Sequence, residues 1–149
     1  MHLYRFGKQP YLNDLTGQGS LYHSGRWHQQ GTPILYTAEH LSLAKLEMLA
    51  NSPVLPVNYF VLTLEVPNDT PAKLVNPADL PTDWFGLPYP PQLAAITEAW
   101  IRAGEFWLMR VPSAHSPTEW NYLLNPLHPG HAQLRIISIE PHPFDARLK

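Results

Sequence analysis

The sequence predicts a single α+β domain over residues 1–149, on three observations. A chain of 149 residues has the size of one ordinary domain, and 44% hydrophobic residues are enough for a real core. Short apolar runs of strand type outnumber the runs with helical period. The helical segments are not regularly interleaved with the strands, which argues against a doubly wound sheet. No internal repeat or low-complexity segment is present.

The elements follow in chain order. Residues 1–32 are rich in Gly, Tyr, Ser and Gln and read as loops with short strands. Pro33 to Thr37 is a short apolar run, a buried strand. Residues 39–50 are helical, and Ser52-Pro53 and Pro56 end that helix. On its wheel Leu43, Ala44, Leu46 and Ala50 form the apolar arc, Glu47 falls inside the arc, and Lys45 points away. Residues 58–66 alternate, with Phe60, Leu62, Leu64 and Val66 on one face. Residues 67–91 carry seven prolines without a period and read as an ordered loop. Its aromatics Trp84, Phe85 and Tyr89 are expected to be exposed, which would supply surface for a homodimer. Leu93 to Ala103 is a second helix with Leu93, Ile96 and Trp100 on one face and Gly104 as its stop. Phe106 to Val111 and Leu134 to Glu140 read as strands.

Composition narrows the function classes. A net charge of -2 leaves no electrostatic footprint for nucleic acid. No apolar run approaches the roughly 18 residues of a spanning helix, and Met1-His-Leu-Tyr-Arg-Phe6 lacks a signal-peptide apolar region. The absence of cysteine excludes disulfides, thiol catalysis and Cys-based metal sites, and fits a cytoplasmic protein. Eight histidines show no His-Glu-x-x-His, and His128 and His131 enclose Pro and Gly, so no metal is expected. The chain has no P-loop, no Gly-x-Gly-x-x-Gly and no Gly-x-Ser-x-Gly elbow.

The candidate site residues each carry two readings. Arg26, between Gly25 and Trp27, is an anion clamp or a structural Arg stacked on an aromatic ring. Tyr36, inside an apolar strand, is core or a stacking platform for a flat ligand. Glu47, a carboxylate on the core-facing side of a helix, must be paired, hydrogen-bonded or lining a cleft, and Arg26 itself is one candidate partner. Ser113 follows a strand, where site residues are common, or forms a turn. Asn121, in the dense polar stretch 119–129, holds a ligand or fixes a loop. Asn125-Pro126 and His128-Pro129 read as turn punctuation.

Taken in order, Leu12-Asn-Asp-Leu-Thr-Gly17, Gly25-Arg-Trp27, Gly31-Thr-Pro-Ile-Leu-Tyr36, Ala44-Lys-Leu-Glu47, Val111-Pro-Ser-Ala114, Asn121-Tyr-Leu-Leu-Asn-Pro126, His128-Pro129 and Phe144-Asp-Ala-Arg-Leu148 resemble the RES domain family. This is the toxin half of RES–Xre toxin–antitoxin pairs. The Arg, Glu and Ser that give the family its name fall on Arg26, Glu47 and Ser113, while His28 stands where the family often has Asn. The resemblance implies an ADP-ribosyltransferase-like fold with a mixed sheet and a few helices, and NAD+ as substrate without a metal. It implies NAD+ depletion in the bacterial cytoplasm by hydrolysis or phosphorolysis, or in some members transfer of ADP-ribose to a protein. It also implies a helix-turn-helix antitoxin of Xre type that covers the pocket. Glu47, Arg26 and Tyr36 are then the expected catalytic set, and Arg26, Tyr36, Ser113, Asn121, Trp27 and His28 the expected NAD+ contacts. Two other classes stay open: an RNA-cleaving toxin using His28, Arg26 and Glu47, and a non-catalytic binding module.

Overall fold

A computed structural model describes all residues from 1 to 149. Seven strands form one mixed sheet, and two α-helices pack on it. The elements are β1 (His2–Lys8), β2 (Leu35–Ala38), α1 (Leu41–Ala50), β3 (Tyr59–Glu65), β4 (Ala72–Leu74), α2 (Pro91–Ala103), β5 (Leu108–Pro112), β6 (Trp120–Leu124) and β7 (Arg135–Pro141). The order across the sheet is β4-β5-β6-β2-β1-β3-β7. Only β4 and β5 run parallel; every other neighbouring pair is antiparallel. The expected α+β class is thus observed.

The sheet nearly parts in its middle. Strands β1 and β3 pair along their whole length, from His2 with Glu65 to Lys8 with Tyr59. Strands β2 and β6 pair at four positions. Between these halves, β1 and β2 share one pair, Tyr4 with Ala38. Beyond that point the two strands diverge, and the space between them opens as a cleft.

Three buried clusters hold this arrangement. Leu3, Leu35, Leu62, Leu64, Leu108 and Leu124 join the two halves beneath the sheet. Met109, Val111 and Leu123 face the other way and receive Leu93 and Trp100 of α2 with Trp27 and Trp84. Leu43 and Ala44 of α1 meet Phe6, Ala38 and Val61. Fully burying such side chains stabilises the fold by roughly 1.5–3 kcal/mol each. Helix α2 carries Pro91 in its first turn and stops at Gly104, whose φ of 64° suits glycine.

The structure corrects three expectations. The stretch 67–91 contains β4 and a 3-10 turn at Pro77–Asp79, so it is part of the sheet and not only a loop. Trp84 in that stretch is buried against Trp27, while Phe85 and Tyr89 remain exposed. Leu46 and Ala50 of α1 face solvent, so the buried arc is rotated toward Leu43, Ala44 and Met48. Glu47 lies inside this rotated arc as well. The sequence also hid a central strand, β6, in the polar stretch 119–129.

One glycine sets the entry to β2. Gly17 has φ +70°, and a Cβ there would meet the backbone of Ile34 at 2.7–2.9 Å. Neither the conformation nor the contact tolerates a side chain. Gly17→Ala is therefore expected to destabilise the domain by roughly 2–3 kcal/mol. Urea unfolding measures this, and an unchanged midpoint would show that the Ile34 backbone yields.

Candidate functional site

The register of the sheet brings the site together. Ala38 pairs with Asn121, and Asn121 pairs with Val111. Tyr36 pairs with Leu123, which pairs with Met109. Residues directly opposite one another share a face, and so do residues two apart. Tyr36, Asn121 and Val111 are therefore on one face, and Ser113 continues it just past β5, anchored by its N–H on the Glu119 carbonyl (3.0 Å). Helix α1 delivers Glu47 to the same face.

The Glu47 carboxylate is held on one side only. Its Oε1 accepts from Ser113 Oγ at 2.6 Å and from Asn121 Nδ2 at 2.7 Å. Its Oε2 takes no hydrogen bond and has His115 Nε2 at 3.7 Å, a distance at which the two pair only when that imidazole carries a charge. Asn121 Oδ1 is buried and unpartnered. Turning the amide over would set Oδ1 against a carboxylate, so Glu47 dictates its orientation.

Ser113 sits behind Glu47 and not on the cavity wall. It is fully buried. Its hydroxyl donates to Glu47 and accepts the N–H groups of His115 (3.1 Å) and Ser116 (3.2 Å). The turn reading and the site reading of Ser113 thus describe the same hydroxyl.

Arg26 and Glu47 form no ion pair. Arg26 Nη1 donates to the carbonyls of Trp84 (2.8 Å) and Gly86 (3.0 Å), and the guanidinium lies over the Tyr89 ring at 4.8 Å. Burial lowers the Arg26 pKa, against the opposing pull of Tyr89 and Glu47. Nη1 and the stacked ring give Arg26 a structural role, while Nε and Nη2 make no hydrogen bond within the chain. Trp27 beside it is core, 3% exposed, with its ring 6.5 Å from that of Trp84.

Half-buried Tyr36 pairs with buried His28. The Tyr36 hydroxyl lies 2.5 Å from His28 Nδ1, and His28 Nε2 lies 2.7 Å from the His23 carbonyl. Only a protonated Nε2 satisfies that carbonyl, so neutral His28 accepts from Tyr36 at Nδ1. Burial lowers the His28 pKa and pushes the Tyr36 phenol above its ordinary range. Gly25 makes room for this pair, because a Cβ there would stand 2.8 Å from His28 Cε1.

These residues line a branched cleft. One lobe, about 260 Å³, is walled by Arg26, Tyr36, Glu47, Tyr89, His115 and Asn121. A second, about 250 Å³, lies where β1 and β2 part, between Arg5, Phe6, Tyr36 and Glu47. A third, about 660 Å³, continues past Arg5 and Tyr36 to Tyr11, Tyr22 and His23. Tyr36 borders all three.

Arg5 and His115 went unnoticed in the sequence. Arg5 borders two of the lobes, has no hydrogen-bonded partner in the chain, and has its pKa lowered by burial with Asp14 as the nearby opposing charge. Its signal was a cation in the inward register of an apolar strand. His115 had no sequence signal of its own. Folding also gathers Glu39, His40 and Glu119, whose ligand atoms lie within 4.8 Å of one another, a grouping that sequence spacing could not reveal. Glu39 already accepts the Trp120 N–H and Glu119 the Ser116 hydroxyl.

The RES domain profile matches residues 2–146 of this chain. The chain belongs to the RES domain family. This RES domain is 35% identical over 156 residues to a Yersinia enterocolitica protein named Toxin Res, covering 100% of both. It is 37% identical over 140 residues to a Pseudomonas putida protein of the same name, covering 91% of this chain and 92% of that one. It is 31% identical over 140 residues to the Prs ADP-ribosylating toxin of a Sphingobium species, covering 91% and 87%. Among solved structures, a chain of the M. tuberculosis MbcT–MbcA toxin–antitoxin complex shares the fold, with a TM-score of 0.72 at 18% identity, over 95% of this chain and 84% of that one. No helix of the RES domain is long and apolar enough to cross a membrane.

The neutral His28 has a consequence for stability. Unfolded, it protonates near its ordinary value of about 6.5; folded, it protonates below that. The unfolded chain binds more protons between the two values, so stability falls as pH drops below about 6.5. His131 adds to this in the same direction. His28→Asn is expected to flatten the acid-side slope in urea unfolding between about pH 7.5 and 5.5. An unchanged slope would show that His28 binds its proton equally well in the folded and unfolded chain.

Proposed function

We propose that this RES domain is the toxin of a toxin–antitoxin pair and cleaves the nicotinamide–ribose bond of NAD+. The observation that carries the reading is Glu47: a carboxylate with Oε1 fixed by Ser113 and Asn121, Oε2 free, no Lys or Arg paired to it, and a cleft in front of it. Two hydrogen bonds hold this carboxylate in place and no permanent cation neutralises it. It is arranged as a negative charge awaiting a ligand.

The chemistry suits that arrangement. Nicotinamide leaves as a neutral base from a cationic ring, through a transition state resembling an oxocarbenium ion. Little acid catalysis is needed at the leaving group. Negative charge near the ribose and a firm hold on both ends of the dinucleotide are needed. Glu47 Oε2 accepts from a ribose hydroxyl and stabilises the developing positive charge. Asn121 and Ser113 hold Glu47 in place. Tyr36 supplies the flat wall against nicotinamide. The free edge of Arg26 and the unpaired Arg5 supply two cations for the diphosphate. Trp27 and His28 shape the wall from behind, and no metal takes part.

Transfer of ADP-ribose to a protein from the same cleft is the second reading, favoured by the name of the Sphingobium relative. RNA cleavage is disfavoured, because both ring nitrogens of His28 are engaged and the ring is buried. An antitoxin partner is supported by the M. tuberculosis complex, and we infer one of the Xre type. The exposed Phe85, Leu87 and Tyr89 beside the Arg26 lobe offer it apolar surface.

Glu47→Gln keeps the shape and removes the charge. NAD+ turnover by this variant is expected to drop at least ~100-fold, with NAD+ still bound. Normal NAD+ depletion by the variant would refute the reading. Ser113→Ala is expected to lower kcat more than it raises KM, because the serine reaches the substrate only through Glu47. Incubation with labelled NAD+ separates the two reaction outcomes: free ADP-ribose or its phosphate marks the first, labelled protein the second.

A further inference from the structure

We propose that His115 is a further catalytic residue of this cleft, the base that takes the proton from water as it attacks the ribose carbon. The inference rests on the NAD+-cleaving reading above and assigns it a missing part.

The part is missing because every other group is committed. Water captured at the ribose carbon must lose a proton. Oε1 of Glu47 is saturated by Ser113 and Asn121, and in the proposed reaction Oε2 holds a ribose hydroxyl. Arg26 is a permanent cation and cannot accept a proton. The Tyr36 phenol is held protonated by burial and donates to His28. His28 uses both nitrogens, and Tyr89 lies beneath the Arg26 guanidinium. Of the titratable groups that wall this lobe, His115 is left.

Its placement fits the role. His115 Nε2 is 3.7 Å from Glu47 Oε2, too far for a direct hydrogen bond, so Nε2 is left to accept from a water beside the ribose that Glu47 holds. The imidazole is about one-third exposed, at 33%, so water reaches it. The backbone is not left to chance. The His115 N–H donates to Ser113 Oγ, the same hydroxyl that donates to Glu47. One buried serine thus sets the distance between carboxylate and imidazole.

The step balances. The C1′–N bond breaks with its electron pair going to nicotinamide, which leaves neutral. The water oxygen forms the new bond to C1′, and its proton passes to Nε2 of a neutral His115 whose own proton is on Nδ1. The imidazolium then faces the Glu47 carboxylate, which favours the transfer, and releases the proton to solvent. A phosphate dianion attacking the same carbon brings its own charge and needs no base. His115 therefore favours water over phosphate as the acceptor.

Product analysis with purified protein tests this. Wild type, His115→Gln and His115→Asn are compared on NAD+ in phosphate-free buffer and in saturating phosphate, measuring nicotinamide, ADP-ribose and its 1-phosphate. The expected result is a loss of about tenfold or more in water capture, with a clearly smaller loss in phosphate capture, so that the product ratio shifts toward the phosphate ester. An unchanged ratio, including equal losses in both, overturns the role of His115 and leaves the NAD+ reading standing. Failure of the wild type to form ADP-ribose in phosphate-free buffer also overturns the role. Failure of the wild type to release nicotinamide under either condition overturns both. The shorter Asn variant serves if the Gln variant does not fold, and the same outcomes are read from it.

Discussion

The meeting of β1 and β2 at the single pair Tyr4 and Ala38 governs the rest of the molecule. A continuous antiparallel ladder there would fill the centre of the sheet with paired strands and buried side chains. The halves instead diverge, and the backbone they leave open becomes the cleft. Leu3 and Leu35 close the bottom of the gap, so the parting does not run through the core. Arg5 and Tyr36, one from each strand, look into the same opening. The site is the place where the sheet fails to be a sheet.

Across that gap the Glu47 carboxylate acts as a tie between layers. Two charge-assisted hydrogen bonds contribute roughly 1.5–3 kcal/mol each. Removing a carboxylate from water costs several kcal/mol when burial is deep. With its side chain 25% exposed, Glu47 meets only part of that penalty. The two terms come near balance, so stability alone does not explain the residue, and an apolar side chain would pack α1 as well. The carboxylate is thus held in place with one oxygen free of hydrogen bonds. The free edge of Arg26 shares this condition of being positioned without a partner in the chain.

Much of the frame was legible in the sequence. Helix α2 was read from Leu93, Ile96, Trp100 and the stop at Gly104, all local signals. Glu47 stands out in the sequence as a carboxylate within an apolar arc, but that arc is misplaced: Leu46 and Ala50 are on the solvent side. The wheel pattern of a ten-residue helix with apolar residues nearly all round does not define a face. Strand β6 is not legible in the sequence because Trp120-Asn-Tyr-Leu-Leu124 does not alternate, and its Asn121 bonds Glu47. Trp84 lies in the proline-rich stretch 67–91, which reads as surface loop, yet it fills the space beside Trp27. Proline marks where chain direction changes, not where side chains go.

The sequence by itself determined the α+β class, most element positions and the ordered motif set that marks a RES domain, since these depend on local periodicity and on residue types in series. What only the tertiary structure decided is how the motifs act on one another. The bonds that orient Glu47 join residues 66 and 74 positions apart, a separation that no local pattern encodes. The same holds for Ser113, which moved from the substrate to the carboxylate behind it, and for Arg5 and His115, whose meaning comes from what they face. Long-range register across β2, β6 and β5 sets those neighbours, and register is a property of the assembled sheet.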